Sequence, residues 1–163
     1  MTILFQKLSR FIRQERGASI AELAILVPIL IMLVAAVSEF GRFFQQYTTL
    51  AKSTRTAARY LSNHSFPDNQ AQARNLAVCG KLTCTGGDAL IPGLTTANVC
   101  LQSTTLPGSP KIETVTVSVP RTAGGCGAPF QYQPIFNIGA LLKTGVTFTP
   151  TISPSITMYY MID

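Results

Sequence analysis

The stretch that decides the fold is ERGASIAELAILVPIL, residues 15–30. It opens on the charged pair Glu15 and Arg16, passes through Gly17, and then turns apolar with a single carboxylate, Glu22, set inside the run. The run continues beyond the quotation, and residues 18–37 are apolar except for Ser19 and Glu22. At a helical rise of about 1.5 Å per residue, that segment covers roughly 30 Å, the thickness of one hydrocarbon core. A charged side chain at the centre of a bilayer costs roughly 2.5–3.5 kcal/mol on insertion scales, so Glu22 is the first candidate for a functional residue. Pro28 lies in the same span. It removes one backbone hydrogen bond and is expected to kink the helix, a defect that membrane helices tolerate better than soluble ones.

Outward from that segment, the charges set a direction. Lys7, Arg10, Arg13 and Arg16 precede the apolar run, so the positive-inside rule keeps residues 1–17 in the cytoplasm and sends the C-terminal part outward. The net charge of +6 is therefore largely topogenic. Nucleic acid is not expected as a partner, because a binding face needs cations clustered on the folded domain, and here the rest are scattered apart from Lys52, Arg55 and Arg59. All four cysteines, Cys79, Cys84, Cys100 and Cys126, fall in the exported part. An even number in an oxidising compartment implies two disulfides, with three pairings open. Zinc is the weaker reading, since CGKLTC (79–84) has four residues between its cysteines and no histidine near it. No metal and no cofactor are expected.

Past Val37 the helical pattern continues. Phe40, Phe43, Phe44, Tyr47, Leu50, Ala51, Thr54, Ala57, Ala58 and Leu61 recur at three- and four-residue steps, with Gln45, Gln46, Lys52, Arg55 and Arg59 mostly between them. No strong breaker comes before SNHSFPDN (62–69), so one helix is expected over residues 18–61. At about 65 Å it exceeds what a bilayer needs, and something must cover the apolar stripe of its second half. FPDNQAQARNLAVCG (66–80) reads as a short helix, capped by Asp68 or Asn69 and ended by Gly80. KIETVTVSV (111–119) alternates as a strand, and GVTFTPTI (145–152) and SITMYYMI (155–162) are further strand candidates. Residues 85–110 read as loop. The expected product is a small antiparallel sheet lying on the helix stripe.

Catalytic patterns do not assemble. The single histidine, His64, sits in a turn-like SNHSFP without a nucleophile motif. Asp68, Asp88, Glu113 and Asp163 are isolated in sequence, and Glu39 stands at the membrane boundary. TAGGCGAP (122–129) resembles a phosphate loop in glycine content alone, lacking the Lys-Ser/Thr ending, and reads as a structural turn beside a disulfide. The chain is not expected to be an enzyme.

Two processing routes compete at the N-terminus. Signal peptidase could cut after the small-x-small triplet Val34-Ala35-Ala36 and release a chain starting at Val37. Alternatively, cleavage on the inner side after Gly17 leaves the whole helix attached, with Ala18 first and Glu22 fifth. A basic leader, Gly, four small or apolar residues and then Glu resembles the site read by type IV prepilin peptidases. The details are similar to TadE-like minor pilins, or pseudopilins, of the tight-adherence (type IVc) pilus. Three features carry the resemblance: RGASIAELAILVPIL (16–30) with Glu22 and Pro28; Glu39-Phe40-Gly41-Arg42 at the far boundary; and TRTAARYL (54–61). Leu23 stands where such pseudopilins usually show Tyr or Phe. The chain left after Gly17 is much longer than a major pilin of this system, which fits a minor subunit.

The resemblance implies that Gly17, Ala18 and Glu22 form the processing site. Glu22, with Pro28 and Glu39, would serve assembly, the Glu22 carboxylate neutralising a subunit's free N-terminus. It implies as partners the prepilin peptidase, other minor and major pilins, the inner-membrane assembly platform and the membrane itself. Adhesion and biofilm formation would be the biological outputs. The expected fold class is α+β, a long N-terminal helix packed on a small antiparallel sheet with disulfides. The expected organisation is a cytoplasmic leader (1–17), a transmembrane helix (18–38), its extracytoplasmic continuation (39–62) and an extracytoplasmic head (63–163). The protein is expected in the inner membrane as a single pass, with its C-terminal domain in the periplasm or outside and an extracellular pilus as its end state. The alternative is a signal-anchored binding or structural domain that enters no filament.

Overall fold

The structure is a computed structural model. It describes residues 15–66, 68–85, 87–108, 112–136 and 149–160, with side chains from residue 19 onward, Ile112 excepted. The apolar run and the stripe behind it form one continuous helix, α1 (Glu15–Ser62), through Pro28. Its end is stopped by polar side chains that take up the last carbonyls. Ser62 Oγ and Asn63 Nδ2 both donate to the Arg59 carbonyl, at 2.9 and 3.0 Å. Such partners replace the amides a helix end lacks.

The chain divides into two compact units, one ending at Gly41 and one beginning at Arg42. In the first, the described part is helix with its apolar side chains facing out. Twelve large apolar residues between Ile20 and Val37 are 39–69% exposed. Leaving that surface in water costs on the order of 10–20 kcal/mol, as much as a whole domain's stability. A helix apolar around nearly all of its surface and left exposed among the described residues is a candidate membrane anchor.

The second unit holds the rest of α1, a short helix α2 (Gln70–Cys79), a 3₁₀ turn (Thr96–Asn98) and three strands, β1 (Cys100–Leu106), β2 (Ile112–Ser118) and β3 (Ser155–Tyr159). The strands form one antiparallel sheet in the order β1-β2-β3. Helix α2 matches its expected limits: Asn69 stands at the N-cap, and Gly80 ends it in the left-handed region, its amide bonded to the Leu76 carbonyl at 3.0 Å. That φ of 69° favours glycine. A single apolar cluster joins Leu50, Ala57, Ala58 and Leu61 of α1, Ala73, Ala77 and Val78 of α2, and Val115, Val117 and Val119 on and after β2. The alanines carry little side chain, which lets elements approach closely. Thr54 is fully buried among them because its Oγ1 donates to the Leu50 carbonyl at 2.9 Å. The α+β architecture of long helix, small antiparallel sheet and two cysteine pairs is thus present.

Four expectations need correction or trimming. Residues 100–106 are a strand and not loop. Their sequence, CLQSTTL, is exposed after Leu101, so no apolar alternation marks it, and its place comes from backbone pairing with β2 from Cys100–Ser118 to Leu106–Ile112. Of the candidate 145–152, residues 145–148 lie outside the described residues, and the remainder makes one isolated bridge, Gln131–Thr151, because Pro150 and Pro154 leave no run of donors. The candidate at 155–162 is a strand to Tyr159, and residues 161–163, Asp163 included, lie outside the described residues. On α1, the stripe is covered from Leu50 to Leu61, whereas Phe44 and Tyr47 are 60% and 42% exposed.

Candidate processing and assembly segment

The candidate site begins where α1 begins. Gly17 and Ala18 are helical, and the Ala18 backbone lies one turn before Glu22, the i to i+4 spacing that places two positions on one helix face. The Glu22 side chain is exposed, and so are Ile25, Leu26 and Ile29 on the turns that follow it. In an apolar medium such a carboxylate needs a cation, because charge taken from water without a partner costs several kcal/mol. Pro28 sits inside the helix and leaves the Ala24 carbonyl without its usual amide donor. Glu39 lies roughly 25 Å further along the axis from Glu22 and is buried, at 6% exposure. Glu22, Pro28 and Glu39 are thus spread along α1 and do not converge on one point.

The cysteines pair as Cys79–Cys84 and Cys100–Cys126, with Cα separations of 5.9 and 5.1 Å. The first pair closes the loop directly after α2. The second ties the start of β1 to the glycine turn at 124–127, and that turn is structural. Gly127 has φ 88°, and a Cβ there would press on Pro120 and the Ala97 carbonyl, while Ala128 donates its amide to that carbonyl at 2.8 Å. Asn98 secures the other side through Nδ2 to the Ala128 and Pro129 carbonyls.

The remaining polar residues also serve local structure. His64 stacks on Tyr60 with ring centroids 4.1 Å apart and donates from Nδ1 to the Tyr60 carbonyl, and Tyr160 Oη donates to the His64 carbonyl at 2.6 Å. Asp68 accepts from Ser65 Oγ, closing the turn before α2. Asp88 accepts from Thr85 Oγ1 at 2.8 Å and faces Lys81 Nζ at 3.6 Å. The Thr85 hydrogen bond first, and the Lys81 charge second, hold its carboxyl below the usual aspartate range. Among the described residues, no group of three His, Cys, Asp or Glu side chains is placed to hold a metal ion.

Residues 17–59 match the family model of TadE-like proteins. Over those residues the long helix is similar to TadE-like proteins. The match starts at Gly17 and ends at Arg59, inside α1, so the TadE-like segment carries Gly17, Glu22, Pro28 and Glu39 and leaves the disulfide-bearing head outside it. No curated protein and no solved structure matches the chain.

Two features of the second unit escape sequence reasoning. Tyr132 is fully buried and meets Phe43 of the TadE-like segment edge-on, with centroids 5.4 Å apart. The alternation of Phe130 and Tyr132 between Pro129 and Pro134 was the available signal, but it is too short to mark a strand. Arg42, by contrast, appears in the sequence only as one member of a boundary motif. Nothing in the pattern marks the burial of its Nη1.

Proposed function

We propose that the chain is a minor pilin, or pseudopilin, of a tight-adherence pilus, made as a precursor and cut by a prepilin peptidase after Gly17. The observation that carries this reading is the pairing of Gly17 with Glu22 at mature position five, at the start of a TadE-like helix whose apolar side chains its own chain leaves uncovered. Cleavage leaves a free α-amino group on Ala18, cationic at neutral pH with a reference pKa of about 7.7–8.0. Glu22 neutralises such a terminus as subunits dock, and the pairing disfavours registers that leave either charge alone in a low-dielectric bundle. The role is structural, with no chemistry of its own. The protein stands in the inner membrane as a single pass with its head in the periplasm or outside. It works with the peptidase, other minor and major pilins and the assembly platform in building an adhesive pilus.

An uncovered apolar helix also suits a plain signal anchor, and Glu22 separates the two. In cells carrying the assembly system, Glu22→Ala should leave the membrane level of the protein unchanged and reduce its recovery in the sheared pilus fraction at least tenfold. Normal recovery of the variant contradicts an assembly role for the carboxylate.

A further inference from the structure

Strand β3 is an outer strand of the described sheet, and its sequence, SITMY, holds no charge and no proline. The phase of its ladder with β2 fixes which way each backbone group points. The Val119 amide donates to the Pro154 carbonyl at 3.0 Å, and the Tyr160 amide donates to the Glu113 carbonyl at 2.9 Å. Ile156 and Met158 therefore turn their backbone groups toward β2, and Ser155, Thr157 and Tyr159 turn theirs away. The Oγ1 atoms of Thr116 and Thr157 lie 2.8 Å apart, as suits the closer, non-hydrogen-bonded kind of cross-strand pair. Nothing among the described residues takes up the outward amides and carbonyls of Ser155, Thr157 and Tyr159. Such a row of unpaired groups is a template for another backbone, and natural edges are commonly blunted by a charge or a proline, which β3 lacks.

A groove of about 530 Å³ adjoins this strand, lined by Thr157, Met158 and Tyr159 and by Arg59, Ser62 and Asn63 at the end of α1. All six residues belong to the second unit, and Arg59, Asn63, Thr157 and Tyr159 are exposed. No acidic side chain lines the groove, and among the described residues the Arg59 guanidinium has no carboxylate partner. An open strand edge thus stands beside an unanswered cation. Charge selects the occupant, because a second copy of β3 has no carboxylate to offer Arg59. The other outer strand is tied down where it starts, by the Cys100–Cys126 bridge and by Cys126 Sγ against the Leu101 carbonyl. We propose that the outer edge of β3 accepts an extended peptide strand of a partner protein, and that an acidic side chain of that strand meets Arg59. Main-chain hydrogen bonds to Ser155, Thr157 and Tyr159 supply the affinity, and Arg59 supplies the selection. The site goes beyond the pilin reading and stands equally for a plain anchor.

The probes are two seven-residue peptides of alternating valine and threonine with one glutamate, at the third position in one and the fourth in the other, so that either face carries the charge. Binding to the full chain in a neutral detergent is read by fluorescence anisotropy of the labelled peptide. At least one peptide should bind. Methylating its fourth and fifth backbone nitrogens, which spoils both of its edges, should weaken binding at least tenfold. Glutamine in place of its glutamate should weaken binding about two- to fivefold, and Arg59→Gln should abolish that difference. Thr157→Pro removes an outward amide and leaves the ladder to β2 intact, so it should cost at least tenfold, whereas Thr157→Val should stay within twofold. Should Thr157→Pro not fold, the methylated peptide carries the test. Absence of binding up to about 1 mM, or undiminished binding of the methylated peptide, overturns the site. Equal binding of the glutamate and glutamine peptides overturns the acidic partner. A dimer of the chain that Thr157→Pro abolishes also overturns that partner and assigns the edge to a second copy.

Discussion

At the scale of single residues, Glu22 and Asp88 are carboxylates with opposite surroundings. Glu22 is exposed on an apolar helix surface, where a charge without a partner is costly in an apolar medium. Asp88 stands in solvent with its partners already beside it. Because its folded pKa lies below the ordinary aspartate value of 3.8, the fold gains stability from Asp88 above the unfolded aspartate pKa and loses it as pH falls through the lower folded value. With the Thr85 hydrogen bond as the larger cause, Thr85→Val should move the Asp88 titration midpoint back toward 3.8 further than Lys81→Gln does, read by carboxyl-carbon NMR. A larger movement in the lysine variant would reverse that ranking. The cysteines were legible from their even number in the part after the apolar run, and both pairs are present. Arg42 was not, since an arginine after a membrane span is ordinary until its Nη1 is seen to be buried.

At the scale of elements, legibility follows how strongly side-chain pattern drives each one. Helix α1 was readable almost to the residue, because its apolar steps run unbroken to Leu61 and its stop residues are polar. Strand β2 was readable from the alternation of Val115, Val117 and Val119 against Thr114, Thr116 and Ser118. Strand β1 was not, because Gln102, Ser103, Thr104 and Thr105 are all exposed and only the partner strand makes them regular. The Cys100–Cys126 bridge holds that edge strand to the glycine turn and closes a sequence separation of 26, against 5 for Cys79–Cys84. Chain entropy assigns such loops about 3.5 and about 2 kcal/mol of stabilisation. Replacing Cys100 and Cys126 by serine should therefore lower the unfolding free energy of the full chain in detergent more than replacing Cys79 and Cys84, by about 1.5 kcal/mol in denaturant titrations. Equal losses would show that the longer bridge does not act through loop closure.

At the scale of the whole molecule, the chain combines an apolar TadE-like helix with a head that fills its own core. In the head, Leu50, Ala57, Ala58 and Leu61 meet α2 and β2, which answers the need for cover that the helical stripe implied. Upstream, the residues between Ile20 and Val37 receive no such cover from the described chain. The described part of the second unit thus has an apolar core, and the exposed apolar helix before it is a candidate membrane anchor. The central claim is that this helix stays attached and begins at Ala18. Its most direct test is the intact mass and N-terminal sequence of the membrane-extracted protein, produced with and without a matching prepilin peptidase. The account predicts a start at Ala18 that depends on the peptidase. A start at Val37, or an uncut Met1 under both conditions, would contradict it.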